Sequence, residues 1–105
     1  MISRFSHKAL KVLGSLIRTA RIDRTFSQAA LAERLDVTRQ TVIAIEKGDP
    51  KVSIGTVFEC AYVLGIPLFS ENDQQLSRWQ TTLSEFSGLL PKKTRQKKQR
   101  MSDDF

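Results

Sequence analysis

Apolar residues along Ser27 to Gly48, SQAALAERLDVTRQTVIAIEKG, fall into two short helical runs with too little chain between them for an ordinary loop. Ala30, Leu31, Ala32 and Leu35 make one stripe, and Val37, Val42 and Ile45 continue it on the second run. The interval Leu35-Asp36-Val37-Thr38 leaves room only for a tight turn, so the two helices must cross steeply. Upstream, Leu10, Leu13, Leu16, Ile17 and Ala20 recur at spacings of three and four, predicting a helix from Lys8 onward. Downstream, Ile54, Val57, Cys60, Ala61 and Leu64 predict another, ended by Gly65. Phe58 and Tyr62 lie on a different face of it, to cover a fifth helix or to join an interface. Leu76, Trp79, Leu83, Phe86 and Leu90 form a last stripe with the a/d spacing of a heptad, too short to hold a coiled coil by itself. Gly88 and Pro91 end it.

Terminal signals agree with these runs. Ser27 and Thr38 are good N-caps, each preceded by an apolar residue (Phe26, Val37) placed to staple onto Leu31 or Val42. Lys47-Gly48 is a cationic last turn followed by the residue best suited to a left-handed cap, and Pro50 blocks resumption. Ser53 reads as a further N-cap, and Ser70 with Asp73 as a later helix start. Two short helices joined by a tight turn, the second opening with exposed Thr38, Arg39 and Gln40, have the layout of a helix-turn-helix over 27–48. Such a second helix enters the DNA major groove by its N-terminal end.

Charge changes this picture less than its total implies. Of a net +6 over 105 residues, +4 sits in Pro91 to Phe105, where six Lys/Arg face two Asp. The body is only mildly basic, so nucleic-acid binding must be argued from the motif and not from pI. The tail, PKKTRQKKQRMSDDF, is almost devoid of apolar residues and is expected to be disordered alone, with phosphates within reach of its basic run. Its Asp103-Asp104-Phe105 end is a candidate docking hook. One Cys and one His make a metal site with several N/S ligands untenable; Cys60 reads as a buried structural thiol, and His7 as a surface residue. Met1 to Ser6 is a polar arm in which Ile2 and Phe5 either pack under the core or cross to a second subunit. No apolar run is long enough to span a bilayer and no signal peptide opens the chain, so the expected location is the cytoplasm, with the nucleoid. Without a Cys/His pair, paired-carboxylate motif or phosphate loop, no enzymatic activity and no cofactor are expected. No aromatics interleave the basic residues, which disfavours an RNA-stacking surface.

The stretch from about Leu13 to Ile66 resembles the Cro/C1-type (XRE) DNA-binding family. Ser27-Gln28, Leu31-Ala32, Val37-Thr38 and Ile45-Glu46-Lys47-Gly48 carry the likeness. It implies an all-α, compact five-helix, lambda-repressor-like fold: a DNA-binding domain over 1–66, a dimer or partner helix over 67–90, and the tail over 91–105. It implies an ion pair of Arg21 with Glu46, where the residues alone equally allow a solvated helix end. It also implies a division between groups that position DNA and groups that read it. Gln28, Thr38, Thr41, Lys47 and Lys51 would hold phosphates; Arg39 and Gln40 would reach base edges, with Ala44 against a thymine methyl. Ile43 and Ala44 are apolar where the family is usually polar, and Ile43 either reads methyl groups or turns toward the protein.

A dimer on a palindromic operator follows from the few contacts one module makes. Leu76, Trp79, Leu83, Phe86 and Phe105 are the expected dimer or partner surface. The run Gly48 to Thr56, with the basic tail and its terminal Asp-Asp-Phe, is similar to HipB-like antitoxins, which implies repression of its own operon and a HipA-like kinase toxin as partner. Two other roles fit the same residues: a solo or phage-type regulator, and a protein-interaction module that has lost DNA binding. The second of these would have shed Arg39 and Gln40, which are present.

Overall fold

The computed structural model describes residues 1–70 and 72–90. Five α-helices and no strand occur among them: α1 (Arg4–Asp23), α2 (Gln28–Leu35), α3 (Arg39–Lys47), α4 (Ile54–Val63) and α5 (Asp73–Gly88). The chain divides after Leu68 into a unit holding α1 to α4 and a second unit, beginning at Phe69, that holds α5. The basic run and Phe105 lie outside the described residues.

In the first unit, α1 starts four residues earlier than its apolar spacing predicts. Ser3 caps it by accepting from the Ser6 backbone N–H at 3.1 Å, a start hidden because Phe5 points away from the core. Ile17 is fully buried, Leu13 and Ala20 flank it, and Gly14 and Arg21 complete the inward face. Leu16, expected on that face, is exposed instead. At 3.6 residues per turn it falls about 150° from the Gly14–Arg21 line, too far round to be covered.

Leu31, Val42, Cys60 and Leu64 join Ile17 in a fully buried cluster, closed by Ala32 and Ile45. Phe26 and Val37, the residues before the two helix-turn-helix caps, pack against it. Ile54 departs from expectation: it is exposed, because it opens α4 at the edge of the stripe that Cys60 and Leu64 centre. Ser53 occupies the N-cap position, but its side chain makes no capping hydrogen bond. Gly65 follows α4 with φ of 73°, the left-handed conformation its position requires.

Cys60 is fully buried, and its thiol is pushed up from 9.0 to about 11 by desolvation and, less, by the charge of Glu46. The folded state therefore keeps the thiol neutral where the unfolded chain has ionised. This contribution to stability is whole below pH 9 and is lost as pH rises toward 11, at up to ~1.36 kcal/mol per pH unit. Urea-unfolding free energies taken from pH 8 to 11.5 should show that decline in the native chain relative to Cys60→Ala, and a constant difference between the two would refute it.

In the second unit, α5 begins at Asp73 under the cap of Asn72, whose Oδ1 accepts from Gln75 N at 2.9 Å. Ser70, read as part of the start, instead donates to the Asn72 carbonyl. No residue of α5 is buried. Among the described residues, no helix is long and apolar enough to cross a membrane.

Candidate nucleic-acid interface

The recognition end is built by capping. Ser27 Oγ accepts from Ala30 N at 3.0 Å and opens α2; Thr38 Oγ1 accepts from Thr41 N at 3.2 Å and opens α3. Thr38 and Thr41 also share a hydroxyl hydrogen bond of 3.0 Å, which holds both side chains beside the first turn of α3. The first N–H groups of each helix have no acceptor within it and are available to an anion. Between the helices, Asp36 turns the chain in the left-handed region (φ 56°, ψ 46°), and Val37 N closes back on Ala32 O at 3.0 Å. A short polar side chain makes that conformation tolerable without glycine.

Val42 and Ile45 bury the inward face of α3, which directs Arg39, Gln40, Ile43, Ala44 and Lys47 outward or to its flanks. Arg39 and Gln40 are exposed; Ile43 and Ala44 are half-buried. Lys47 and Lys51 are exposed as well. Asp49, which lies between them in sequence, uses Oδ1 to accept from Lys51 N at 2.8 Å, fixing the turn after α3. An open groove joins the two ends of this surface, lined by Gln40, Thr41, Ala44, Lys51, Ser53 and Thr56 among others.

Behind the surface lies a buried hub. Arg21 Nε contacts Glu46 Oε2 at 2.5 Å and Arg21 Nη2 contacts Oε1 at 3.2 Å, a two-pronged ion pair whose side chains are 10% and 4% exposed. Arg21 Nη1 also donates to Phe26 O at 2.8 Å. Gln28 Nε2 donates to Glu46 Oε1 at 3.2 Å, so the residue expected at a phosphate is first of all tied inward, with one amide hydrogen left over. Three helices thus converge on one carboxylate.

Two glycines matter to this placement: Gly14, which neither apolar spacing nor charge marks out, and Gly48, the expected left-handed cap. A Cβ on Gly14 would stand 2.5 Å from Glu46 O and 2.7 Å from Ile45 O, so α1 lies directly on the backbone of α3 there. At Gly48, φ is 77° and a Cβ would meet Lys11 N at 2.7 Å. An isolated Gly inside a helical pattern was the available signal for the first.

Among the described residues, no group of three or more His, Cys, Asp or Glu is disposed to hold a metal ion. The helix-turn-helix family model HTH_3, of XRE type, matches residues 17–69. A protein of Methanothermobacter thermautotrophicus, described as an uncharacterized HTH-type transcriptional regulator, is 45% identical over 51 residues, covering 49% of this chain and 74% of that protein. No solved structure matches the chain with significance. The matched span takes in the capped turn, the exposed start of α3 and the Glu46 hub together, and the chain belongs to the XRE-type helix-turn-helix family of transcription regulators.

Proposed function

We propose that this protein is a sequence-specific DNA-binding repressor that acts as a dimer on a palindromic operator with half-sites about one helical turn apart. The observation that carries the reading is the exposed pair Arg39 and Gln40 at the open end of α3, flanked by exposed Lys47 and Lys51. Arginine matches guanine O6/N7 and glutamine matches adenine N6/N7 as bidentate partners. Thr38, Thr41, Gln28 and the helix starts hold backbone phosphates; Ala44 and Ile43 meet thymine methyls. The lysines add charge that steers and holds without reading sequence.

An operator selected from a random duplex pool supplies the test. Arg39→Ala should weaken binding to it by about 1–3 kcal/mol, or roughly 5- to 150-fold, in a mobility-shift titration. Non-specific binding should fall only by what one lost cation accounts for. Equal losses on both DNAs would remove Arg39 from base reading.

The finer role we infer is that of an autoregulating antitoxin paired with a HipA-like kinase. Support comes from the similarity of Gly48 to Thr56 to HipB-like chains, and from the exposed apolar face of α5. A kinase-like reading frame beside this one is expected; a lone regulator would lack it.

A further inference from the structure

On α1, two exposed lanes run side by side that neither the core nor the reading end of α3 uses. Phe5, Val12 and Leu16 are 80%, 64% and 48% exposed. At 3.6 residues per turn they lie within about 40° of one another. Arg4, Lys8, Lys11 and Arg18, all exposed, make the second lane on the adjoining side. We propose that this face of α1 is a docking surface for an acidic amphipathic helix of a partner protein. The partner's apolar side chains lie along Phe5, Val12 and Leu16 while its carboxylates meet the four bases.

Charge is segregated onto this helix. From Met1 to Ile22 there are five Lys/Arg and no Asp or Glu, whereas residues 23–90 hold six Lys/Arg against nine Asp/Glu. Arg21 is spent on Glu46, and among the described residues none of the other four is in an ion pair. The surplus is therefore free to meet an anionic partner. The family span begins at residue 17, so Phe5, Val12, Leu16, Arg4, Lys8 and Lys11 all precede the matched domain.

Geometry turns the apolar lane away from the DNA-reading surface. A Cβ on Gly14 would run into the α3 backbone, so that side of α1 faces α3. Phe5 lies about 180° round the helix from Gly14, and Leu16 about 160°. A duplex seated on Arg39 and Gln40 leaves the lane accessible, and a duplex has no row of apolar groups to fill it.

Charge and width select the occupant. A second copy laid on the same face would set four bases against four bases. The chain's own Asp103-Asp104-Phe105 end is acidic and aromatic, but it follows a run of six Lys/Arg that this face repels. A membrane surface calls for a broad apolar stripe, about 100° or more, and the lane is less than half that. On its other border the helix turns into the body at Ala20 and Leu13, which pack against the core. One row of apolar side chains beside a basic ridge fits one helix carrying the opposite charge. From Phe5 to Leu16 the lane runs about 16 Å, three turns of such a helix. The contact buries on the order of 1,000 Å², the low end of specific interfaces, so binding is reversible.

Fluorescence anisotropy on the full chain tests this with a fluorescein-labelled probe. The probe is a ~16-residue peptide with Leu and Phe on one helical face and Glu and Asp on the other. At about 50 mM salt it should bind with Kd of about 10–100 μM, and at least ~10-fold more weakly at about 500 mM. Phe5→Ser with Val12→Ser, and separately Arg4→Glu with Lys8→Glu, should each weaken binding by at least ~10-fold, a loss of about 1.4 kcal/mol or more. Neither pair reaches the core, so helical circular dichroism should match the native chain. No binding at millimolar probe would overturn the inference. Equal affinity for a peptide of the same composition with its apolar residues scattered would leave charge alone at work and overturn it too. So would a Phe5→Ser, Val12→Ser chain that binds like native. Four further results would give the face to another occupant and overturn it. The first is a native chain that ignores the probe while Arg4→Glu with Lys8→Glu weakens duplex binding. The second is capture by anionic phospholipid vesicles in place of the probe. The third is an oligomer that Phe5→Ser with Val12→Ser dissolves, and the fourth is a peptide of residues 101–105 that displaces the probe.

Discussion

Glu46→Ala is expected to destabilise the unit formed by α1 to α4 by about 3–5 kcal/mol. Its carboxylate receives both prongs of Arg21 and the Gln28 amide, and its side chain is only 4% exposed. Removing it strands a guanidinium that is itself nine-tenths covered, with no solvent to take over. The intact pair is a different matter, because desolvating two charges cancels much of their attraction. Arg21→Met combined with Glu46→Leu should therefore recover most of the lost stability, at the cost of the bond from Arg21 to the Phe26 carbonyl. Urea denaturation of the native chain, the single variant and the double variant measures this directly. A single variant within 1 kcal/mol of native, a threshold on the order of one ordinary hydrogen bond, would show that the hub does not hold the helices together.

Gly14→Val should be comparably severe, about 3 kcal/mol or more, although it removes no interaction at all. The added Cβ must occupy space 2.5 Å from Glu46 O and 2.7 Å from Ile45 O, both backbone atoms that cannot swing aside. α1 and α3 would have to separate, and the recognition helix would move with them. Even Gly14→Ala should lower the melting temperature, whereas Gly55→Ala on α4 should raise it. At Gly55 the nearest atom to a new Cβ is Ser53 Oγ at 3.7 Å, an ordinary contact, so the helix gains the roughly 0.5–1 kcal/mol that alanine holds over glycine. The same substitution with opposite signs at two sites separates helix propensity from close packing. Equal signs would contradict the crossing.

The expected helix-turn-helix and the structure agree closely where the controlling interactions are local. Ser27, Thr38 and Gly48 terminate their helices through bonds to residues three or four positions away, so a short window contains everything needed to place them. Periodicity was a weaker guide to coverage. Leu16 and Ile54 share the spacing of their buried neighbours yet remain exposed, because a stripe describes one helix and burial depends on what lies opposite. Asp36 in the left-handed turn could not be read as such, since aspartate adopts that conformation only when the flanking helices demand it.

The sequence alone determined the five helical stretches, the caps of α2 and α3, and which side chains are offered at the open end of α3, because caps and periods act over a single turn. Tertiary structure alone decided that Glu46 gathers Arg21 from 25 positions away and Gln28 from 18, and that α1 rests on the α3 backbone at Gly14. Among the described residues, it also left no residue of α5 buried. These outcomes turn on distances between segments remote in sequence, and no local pattern encodes how closely two helices approach.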